Sequence, residues 1–279
     1  MASASERISP TAYATGYFWY RHGLSHPALA TEEGRKADRV VQPLLGAVQK
    51  LGGFSMTALM LARHRGIDAV LGRAIEEGRV GQVIEIAAGL SPRGWGLRRR
   101  YGERLRYIET DLPQMVALKR RLLSEGGLLG AGHSVQVLDA LADSGAGSLA
   151  ALARTLDPGV GTAIVTEGLM NYLDPQAARG VWRRIAAALQ PFPGGVYLND
   201  LYLRPQRVNA AAGAFGGLLQ LFVRGRMHVH FRSEGEVLDT MQGCGFTETL
   251  LHRTQDLAET REYAGIRGGD AVMVLEARV

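Results

Sequence analysis

The chain reads as an α/β protein, with a mostly parallel sheet covered by helices on both faces. Three observations predict this. Residues 83–89, Val-Ile-Glu-Ile-Ala-Ala-Gly, are an apolar strand pattern that runs into a small-residue turn. A second strand-like run, Leu105 to Thr110, closes at Asp111. Beyond it, short apolar runs alternate with segments at helical spacing as far as the C-terminus. A strand, a small-residue turn, a helix and a strand ending in an acid is how α/β folds hold an adenosine-containing cofactor. Small residues let the ligand approach the backbone, and the acid accepts hydrogen bonds from ribose hydroxyls.

Each element has its own signal. Residues 12–60 read as helices that precede the sheet. Met56, Leu59, Met60, Ile67, Val70, Leu71, Ala74 and Ile75 recur at three- and four-residue spacing, the period of a helix; Gly78 stops it. Strand 83–87 follows, then helix 92–101, strand 105–110 and helix 112–125. Strand 134–138 precedes a helix near 146–156, and strand 161–166 precedes helix 175–189. Gly194-Gly195 opens strand 196–200. A less regular apolar segment, 205–224, separates it from helix 233–242, strand 246–252, a short helix near 256–263 and strand 271–277. That makes a seven-stranded sheet, and the short connection between the last two strands allows one of them to run antiparallel. The expected division is an N-terminal helical lid over 1–60 and a cofactor-binding domain over 61–279, with a substrate cap near 205–232.

Composition narrows the function. The 279 residues are 46% hydrophobic and 21% charged, ordinary for a soluble globular protein. No window of about eighteen uninterrupted apolar residues suggests a membrane span, and the N-terminus lacks a signal-peptide pattern. Cys244 is the only cysteine, which excludes an intrachain disulfide and fits a reducing cytoplasm; it is read as inert. The net charge of +5 includes the runs Arg98-Arg99-Arg100 and Lys119-Arg120-Arg121. Both read as solvated helix faces, and no aromatic interleaving marks a nucleic-acid groove. The expected partner is a small molecule, with no nucleic acid or membrane; the oligomeric state stays open, a homodimer included.

Arg63 is the most telling side chain. The spacing of Met56, Met60, Ile67, Val70 and Ala74 puts it on the apolar face of its helix, where a guanidinium must find an anion. That anion is a cofactor or substrate carboxylate, or a structural acid such as Asp68 or Glu85. Asp111 precedes Leu112-Pro113, so it suits both a helix cap and a ribose ligand. Asp139 ends the third strand as an adenine-side acceptor or a turn residue. Glu167 ends the fourth, and with Tyr172 it faces the crevice or else braces the Gly168 turn. Residues 13–27 are unusually aromatic, which suits a sulfonium and a flat substrate or plain packing. His26, His228, His230 and Tyr172 are the candidate proton acceptors. No His, Cys and acid set has metal spacing, and no Gly-x-Ser-x-Gly elbow or Walker loop is present.

Four pieces in order carry a resemblance. They are Leu61-Ala62-Arg63-His64-Arg65-Gly66-Ile67-Asp68; Val83 to Arg93, ending Ala87-Ala88-Gly89-Leu90-Ser91-Pro92-Arg93; Tyr107-Ile108-Glu109-Thr110-Asp111-Leu112-Pro113; and Thr166-Glu167-Gly168-Leu169-Met170-Asn171-Tyr172-Leu173. Over roughly 56–200 the chain resembles the leucine carboxyl methyltransferase family, including its bacterial branch of polyketide-type O-methyltransferases. The resemblance implies a Rossmann-like class I fold that binds S-adenosyl-L-methionine and releases S-adenosyl-L-homocysteine. It implies that Arg63 holds the methionine carboxylate and that Glu85, Ala87 and Gly89 line the turn admitting the cofactor. Asp111 and Leu112 would take the ribose, Asp139 and Ala140 the adenine side, and Glu167 the methionine amino end. The family turn usually reads Gly-Ala-Gly-x-Asp-Thr-Arg; here Ala87 replaces a glycine and Ser91 an aspartate.

The resemblance implies methyl transfer to a carboxylate or hydroxyl of a small secondary metabolite. A carboxylate acceptor is already ionised at neutral pH; a hydroxyl needs a base. The alternatives are N- or S-methylation of a small molecule, a non-catalytic protein that binds the cofactor as a sensor, and methylation of protein or RNA. A nicotinamide oxidoreductase lacks support, because neither Gly-x-Gly-x-x-Gly nor a Tyr-x-x-x-Lys pair is present.

Overall fold

A computed structural model describes residues 10–204 and 227–279. Three helices come first: α1 (Pro10–Arg21), α2 (Glu32–Gly52) and α3 (Met56–Glu76). Local chemistry sets their limits. Thr31 Oγ1 accepts from Gly34 N at 3.1 Å to start α2, and Ser55 Oγ accepts from Ala58 N at 3.2 Å to start α3. Each satisfies an N–H that the helix itself leaves unpaired. Gly78, at φ 73°, follows the last turn of α3. α3 runs unbroken through residues 60 and 61, the expected edge of the lid.

The sheet has seven strands: β1 (Gln82–Ile86), β2 (Arg106–Asp111), β3 (His133–Val137), β4 (Thr162–Thr166), β5 (Val196–Leu201), β6 (Glu248–Arg253) and β7 (Met273–Arg278), in the order β3-β2-β1-β4-β5-β7-β6. β1 to β5 are mutually parallel. β7 inserts between β5 and β6 and runs antiparallel to both. The sequence order alone does not show that insertion; it follows from pairing across the sheet. Helices α4 (Arg93–Tyr101), α5 (Pro113–Glu125), α6 (Leu149–Ala153), α7 (Pro175–Leu189) and α8 (Glu234–Gly243) complete the described fold.

Some expectations shift. The helix near 146–156 is only α6, capped by Ser148, and the short helix near 256–263 is a pair of 3₁₀ segments. The 205–224 segment lies outside the described residues, as does most of the expected cap at 205–232. No single helix among the described residues is long and apolar enough to cross a membrane.

Strand parity divides the core. Ile84, Ile86, Ile108 and Ile164 face one side with Trp182 of α7 and Met241 of α8. Val83, Tyr107, Ala163 and Val165 face the other with Ile67 and Leu71 of α3 and Leu97 of α4. Each such fully buried aliphatic side chain contributes roughly 1.5–3 kcal/mol. The same parity turns Glu85 and Glu109 toward the α3/α4 side, where apolar partners cannot satisfy them.

Glu109 is therefore matched by a cation, and that corrects the reading of Lys119 as part of a solvated face. Lys119 is buried, not solvated: its ammonium pairs with Glu109, which also meets His133 Nε2 at 2.9 Å. Burial would raise the Glu109 carboxyl, but Lys119 and His133 bring it below the ordinary value. Arg120 donates to the Val135 carbonyl at 2.6 Å, and Arg98 donates to the carbonyls of Gly102, Leu105 and Ala131. Arg99, Arg100, Arg120 and Arg121 are exposed, as the reading of solvated helix faces expects. Cys244 is buried at the end of α8, and burial raises its thiol, in keeping with an unreactive side chain.

Candidate functional site

Strand order reverses between β1 and β4, and in open parallel sheets the crevice beyond such a switch point is where ligands bind. The residues following Ile86, Thr110 and Thr166 converge there. After β1 the chain takes Ala87 at φ 54° and Gly89 at φ 50°. Ala87 is the only non-glycine residue with positive φ among the described residues. Its methyl packs against the apolar cluster of Ile86 and Met170, which offsets part of the cost of a left-handed alanine, roughly 1–2 kcal/mol. Restoring glycine is expected to help: Ala87→Gly should raise stability by about 0.5–1 kcal/mol and leave the fold unchanged, as read by thermal melting. A melting temperature that falls would show that the methyl contact outweighs the backbone strain.

Asp111 ties this turn to β2. Its Oδ2 accepts from Gly89 N and its Oδ1 from Leu112 N, each at 2.8 Å. Burial raises its pKa, although both backbone donors pull the other way. Each oxygen keeps a second lone pair, so the carboxylate can still receive a diol. Asp139, at the end of β3, is exposed; Oδ1 accepts from Leu141 N at 2.9 Å. Ala140 is half-buried beside the α7 cluster, and its carbonyl accepts from Arg184 Nε at 3.1 Å.

Glu167, at the tip of β4, is the centre of the charged cluster. Oε1 accepts from Arg63 Nε at 2.8 Å. Oε2 meets His64 Nδ1 at 2.8 Å and Arg93 Nη2 at 2.6 Å. Burial alone would raise this carboxyl, but His64, Arg63 and Arg93 hold it well below the usual range. The alternative that Glu167 braces the Gly168 turn is not what the structure places there. Asp200 of β5 does that, its Oδ1 accepting from Gly168 N at 2.7 Å. Asp200 Oδ2 lies 3.7 Å from Arg63 Nη1, and Tyr202 sits against both. Burial raises Asp200, with Arg63 opposing.

Glu85 departs from its expected place on the cofactor turn. It is 1% exposed, and its carboxylate accepts from Arg93 Nη1 at 2.6 Å and Tyr107 Oη at 2.9 Å. Parity points it under the crevice, where it fixes Arg93. Arg93 itself has a fully buried side chain and also donates through Nε to Asp68 at 2.5 Å. Arg93, His64, Asp200 and Tyr202 were not singled out from sequence. Arg93 carried one signal, an arginine directly after a tight turn and Pro92, but nothing in the spacing named its partners.

The candidate bases separate. Tyr172 ends a 3₁₀ turn after β4, its hydroxyl bonded to Thr11 of α1 and raised by burial. His228 and His230 stack at 6.3 Å beside the same turn. His230 Nε2 contacts the Met170 carbonyl at 2.8 Å, and burial lowers its pKa. His26 is elsewhere: its Nδ1 caps the 3₁₀ segment Pro27–Leu29 by accepting from Ala28 N at 3.2 Å, and its ring meets Trp95 of α4.

α1 lies across the crevice. A Cβ on Gly89 would sit 3.6 Å from Ala12 Cβ, and one on Gly16 only 2.6 Å from Leu90 Cβ. Trp19 stacks on His64 with centroids 4.3 Å apart. Phe18 and Trp19 are buried against Ala58, Leu61 and Ala62, so these two aromatic rings pack the helix down.

Comparison with known proteins agrees with this architecture. The chain is 32% identical over 173 residues to a Mycolicibacterium smegmatis protein and 26% identical over 160 residues to a Frankia alni protein, covering 54% and 57% of this chain. Both bear the name "Putative S-adenosyl-L-methionine-dependent methyltransferase". The chain spans about half the length of these curated relatives, 54% of each. A solved Thermobifida fusca structure, described as "a putative methyltransferase", superposes with TM-score 0.61 over 99% of this chain and 96% of its own, at 13% identity. An O-methyltransferase family protein from Burkholderia thailandensis gives TM-score 0.51 over 99% of this chain and 65% of its own, at 18% identity. The fold is that of the class I methyltransferases, a seven-stranded Rossmann-like sheet with helices on both faces and further helices at the N-terminus. The family model described as leucine carboxyl methyltransferase matches residues 28–186, more than half the chain, and the chain belongs to that family.

Proposed function

We propose that this chain binds S-adenosyl-L-methionine and transfers its methyl group to an oxygen of a small molecule, a carboxylate first. The observation that carries the reading is the convergence of Arg63, Glu167 and Asp200 on one end of the crevice, with Asp111 clamped to the Gly89 turn at the other. The chemistry of these groups fits the cofactor. Arg63 suits a carboxylate, and the acids suit an α-ammonium. Asp68, Glu85, Glu167 and Asp200 set four carboxylates against Arg63, Arg93 and His64, so the cluster favours an added cation. Asp111 offers its remaining lone pairs to a ribose diol, and positive φ at Ala87 and Gly89 brings the backbone close.

When bound, the cofactor supplies an activated methyl on a sulfonium. The protein's task is then orientation and exclusion of water. Glu167 and Arg63 fix the amino-acid end, Asp111 fixes the sugar, and α1 covers the crevice. A carboxylate acceptor is supported by the state of the candidate bases. His26 is a cap, His230 is held on a backbone carbonyl, and Tyr172 is pushed up by burial. None of His26, His228 and His230 is paired with a carboxylate at the crevice in the manner of an oriented base; the His–carboxylate ion pairs among the described residues involve His64, His133 and His252. The relatives' names support the methyl donor, and the Burkholderia protein's description supports oxygen.

The test uses cofactor labelled in its methyl group and a panel of carboxylic acids, phenols, amines and thiols. Label that transfers to acids and is released as methanol by mild base identifies a methyl ester. Base-stable label on phenols, or label on amines or thiols, replaces the carboxylate reading. Calorimetry that detects S-adenosyl-L-homocysteine binding but no transfer to any class would point to a binding protein without turnover.

A further inference from the structure

Asp68 occupies α3 one turn after His64, and its carboxylate reaches two of the three groups that hold Glu167. Its Oδ1 accepts from Arg93 Nε at 2.5 Å, and its Oδ2 lies 3.6 Å from His64 Nε2. The far ends of those two groups meet on a single atom: Arg93 Nη2 at 2.6 Å and His64 Nδ1 at 2.8 Å from Glu167 Oε2. The guanidinium thus hydrogen-bonds both carboxylates, while the imidazole meets Glu167 at hydrogen-bond distance and stands at ion-pair distance from Asp68. The middle of this ring is buried, with no exposure of the Arg93 side chain and 2% for His64. Asp68 is a third exposed and lines a surface groove between α3 and α4 with Gly72, Pro92 and Leu97. Stacking by Trp19 of α1 holds the imidazole from its open face.

A carboxylate that receives donors from three directions has one orientation; remove one donor and it can turn. Asp68 is bound to the back of the ring, so whatever it does for a ligand must pass through Arg93 and His64. We propose that Asp68 and His64 are positioning residues for the amino-acid end of the cofactor, acting through Glu167. This rests on the cofactor reading given above. Neither residue contributes to holding the nucleoside, which lies at Asp111.

The experiment titrates the full chain with two probes, S-adenosyl-L-homocysteine and 5′-methylthioadenosine. The second keeps the nucleoside and thioether and lacks the amino-acid end. For Asp68→Asn and His64→Leu, affinity for S-adenosyl-L-homocysteine is expected to fall about tenfold, the effect of losing one charge-assisted hydrogen bond. Affinity for 5′-methylthioadenosine is expected to stay within about twofold. His64→Asn, which keeps a donor near the Nδ1 position, should recover part of the loss, and Asp68→Glu, which keeps the charge, should do the same. If Asp68→Asn does not fold, the Asp68→Glu and His64 variants carry the measurement. Equal losses for both probes would make the ring a structural device only, and unchanged affinity for both would likewise overturn the proposal. Wild-type protein that binds neither probe would instead overturn the cofactor reading itself.

Discussion

Replacing Arg93 by methionine should destabilise the protein by about 3–5 kcal/mol, the usual cost of removing one partner from a buried ion pair. The side chain has no exposure, and it touches carboxylates from three elements: Asp68 of α3, Glu85 of β1 and Glu167 at the tip of β4. Burial works against its charge, yet those acids hold the guanidinium protonated well above its ordinary value. Methionine fills similar space and leaves the carboxylates facing one another without their cation. For a chain of this size the cost corresponds to a melting temperature lowered by roughly 6–20 °C. Adding Glu85→Gln to Arg93→Met should recover part of the loss, because one uncompensated charge is removed with its partner. A single variant that melts within about 2 °C of wild type would show that water, not Arg93, neutralises these acids.

The second large effect is on binding and on acid stability. Glu167→Gln keeps the shape of the side chain and removes the charge that Arg63, His64 and Arg93 surround. Under the proposed function, affinity for S-adenosyl-L-homocysteine should fall by about thirtyfold or more, since truncating one partner of a buried charged pair costs about 2–5 kcal/mol. The pH dependence has a definite sign. Glu167 is held well below its ordinary value of 4.5 in the folded state. Its contribution is therefore complete above about pH 4.5 and is lost as the pH falls through the depressed folded value. Glu276, which burial would raise but His252 and Arg278 bring to about 2, adds to the same acid limb. Asp111 and Asp200 work in the opposite sense, since burial raises both. Wild-type stability should thus decline below about pH 4.5, and Glu167→Gln should decline less steeply there. Denaturant midpoints measured from pH 7 to pH 3 test this; identical slopes for the two proteins would mean that Glu167 is already titrating normally.

The sheet and its order of elements were legible because local signals are strong. Asp174 before Pro175 sets the start of α7, and the alternating buried strands leave little freedom of assignment. The insertion of β7 between β5 and β6 was not legible, because antiparallel pairing across distant segments has no local mark. In the site, Arg63 could be found by asking why a cation sits at an apolar helical position. The same question applied to Lys119, spaced four after Met115, three after Val116 and four before Leu123, would have found the buried pair with Glu109; reading the basic run as a unit concealed it. Arg93 and Asp200 were hidden for a different reason. Their roles come from acids and backbone donors brought together from elements far apart in the chain, and no spacing within one element records that. His26 caps a 3₁₀ segment, a place that draws on the same side chain as proton acceptance does.

The seat of α1 on the turn after β1 bears on how this protein can be altered. A side chain at residue 16 has no room above Leu90, so helix and turn approach as closely as backbone allows. Under the proposed function, libraries aimed at new acceptors should keep Phe18 and Trp19, which pack the helix down, and treat position 16 as a fixed pivot. Swapping in a homologous helix with a larger residue there would tilt the whole segment and change the width of the doorway before any specificity residue had been touched.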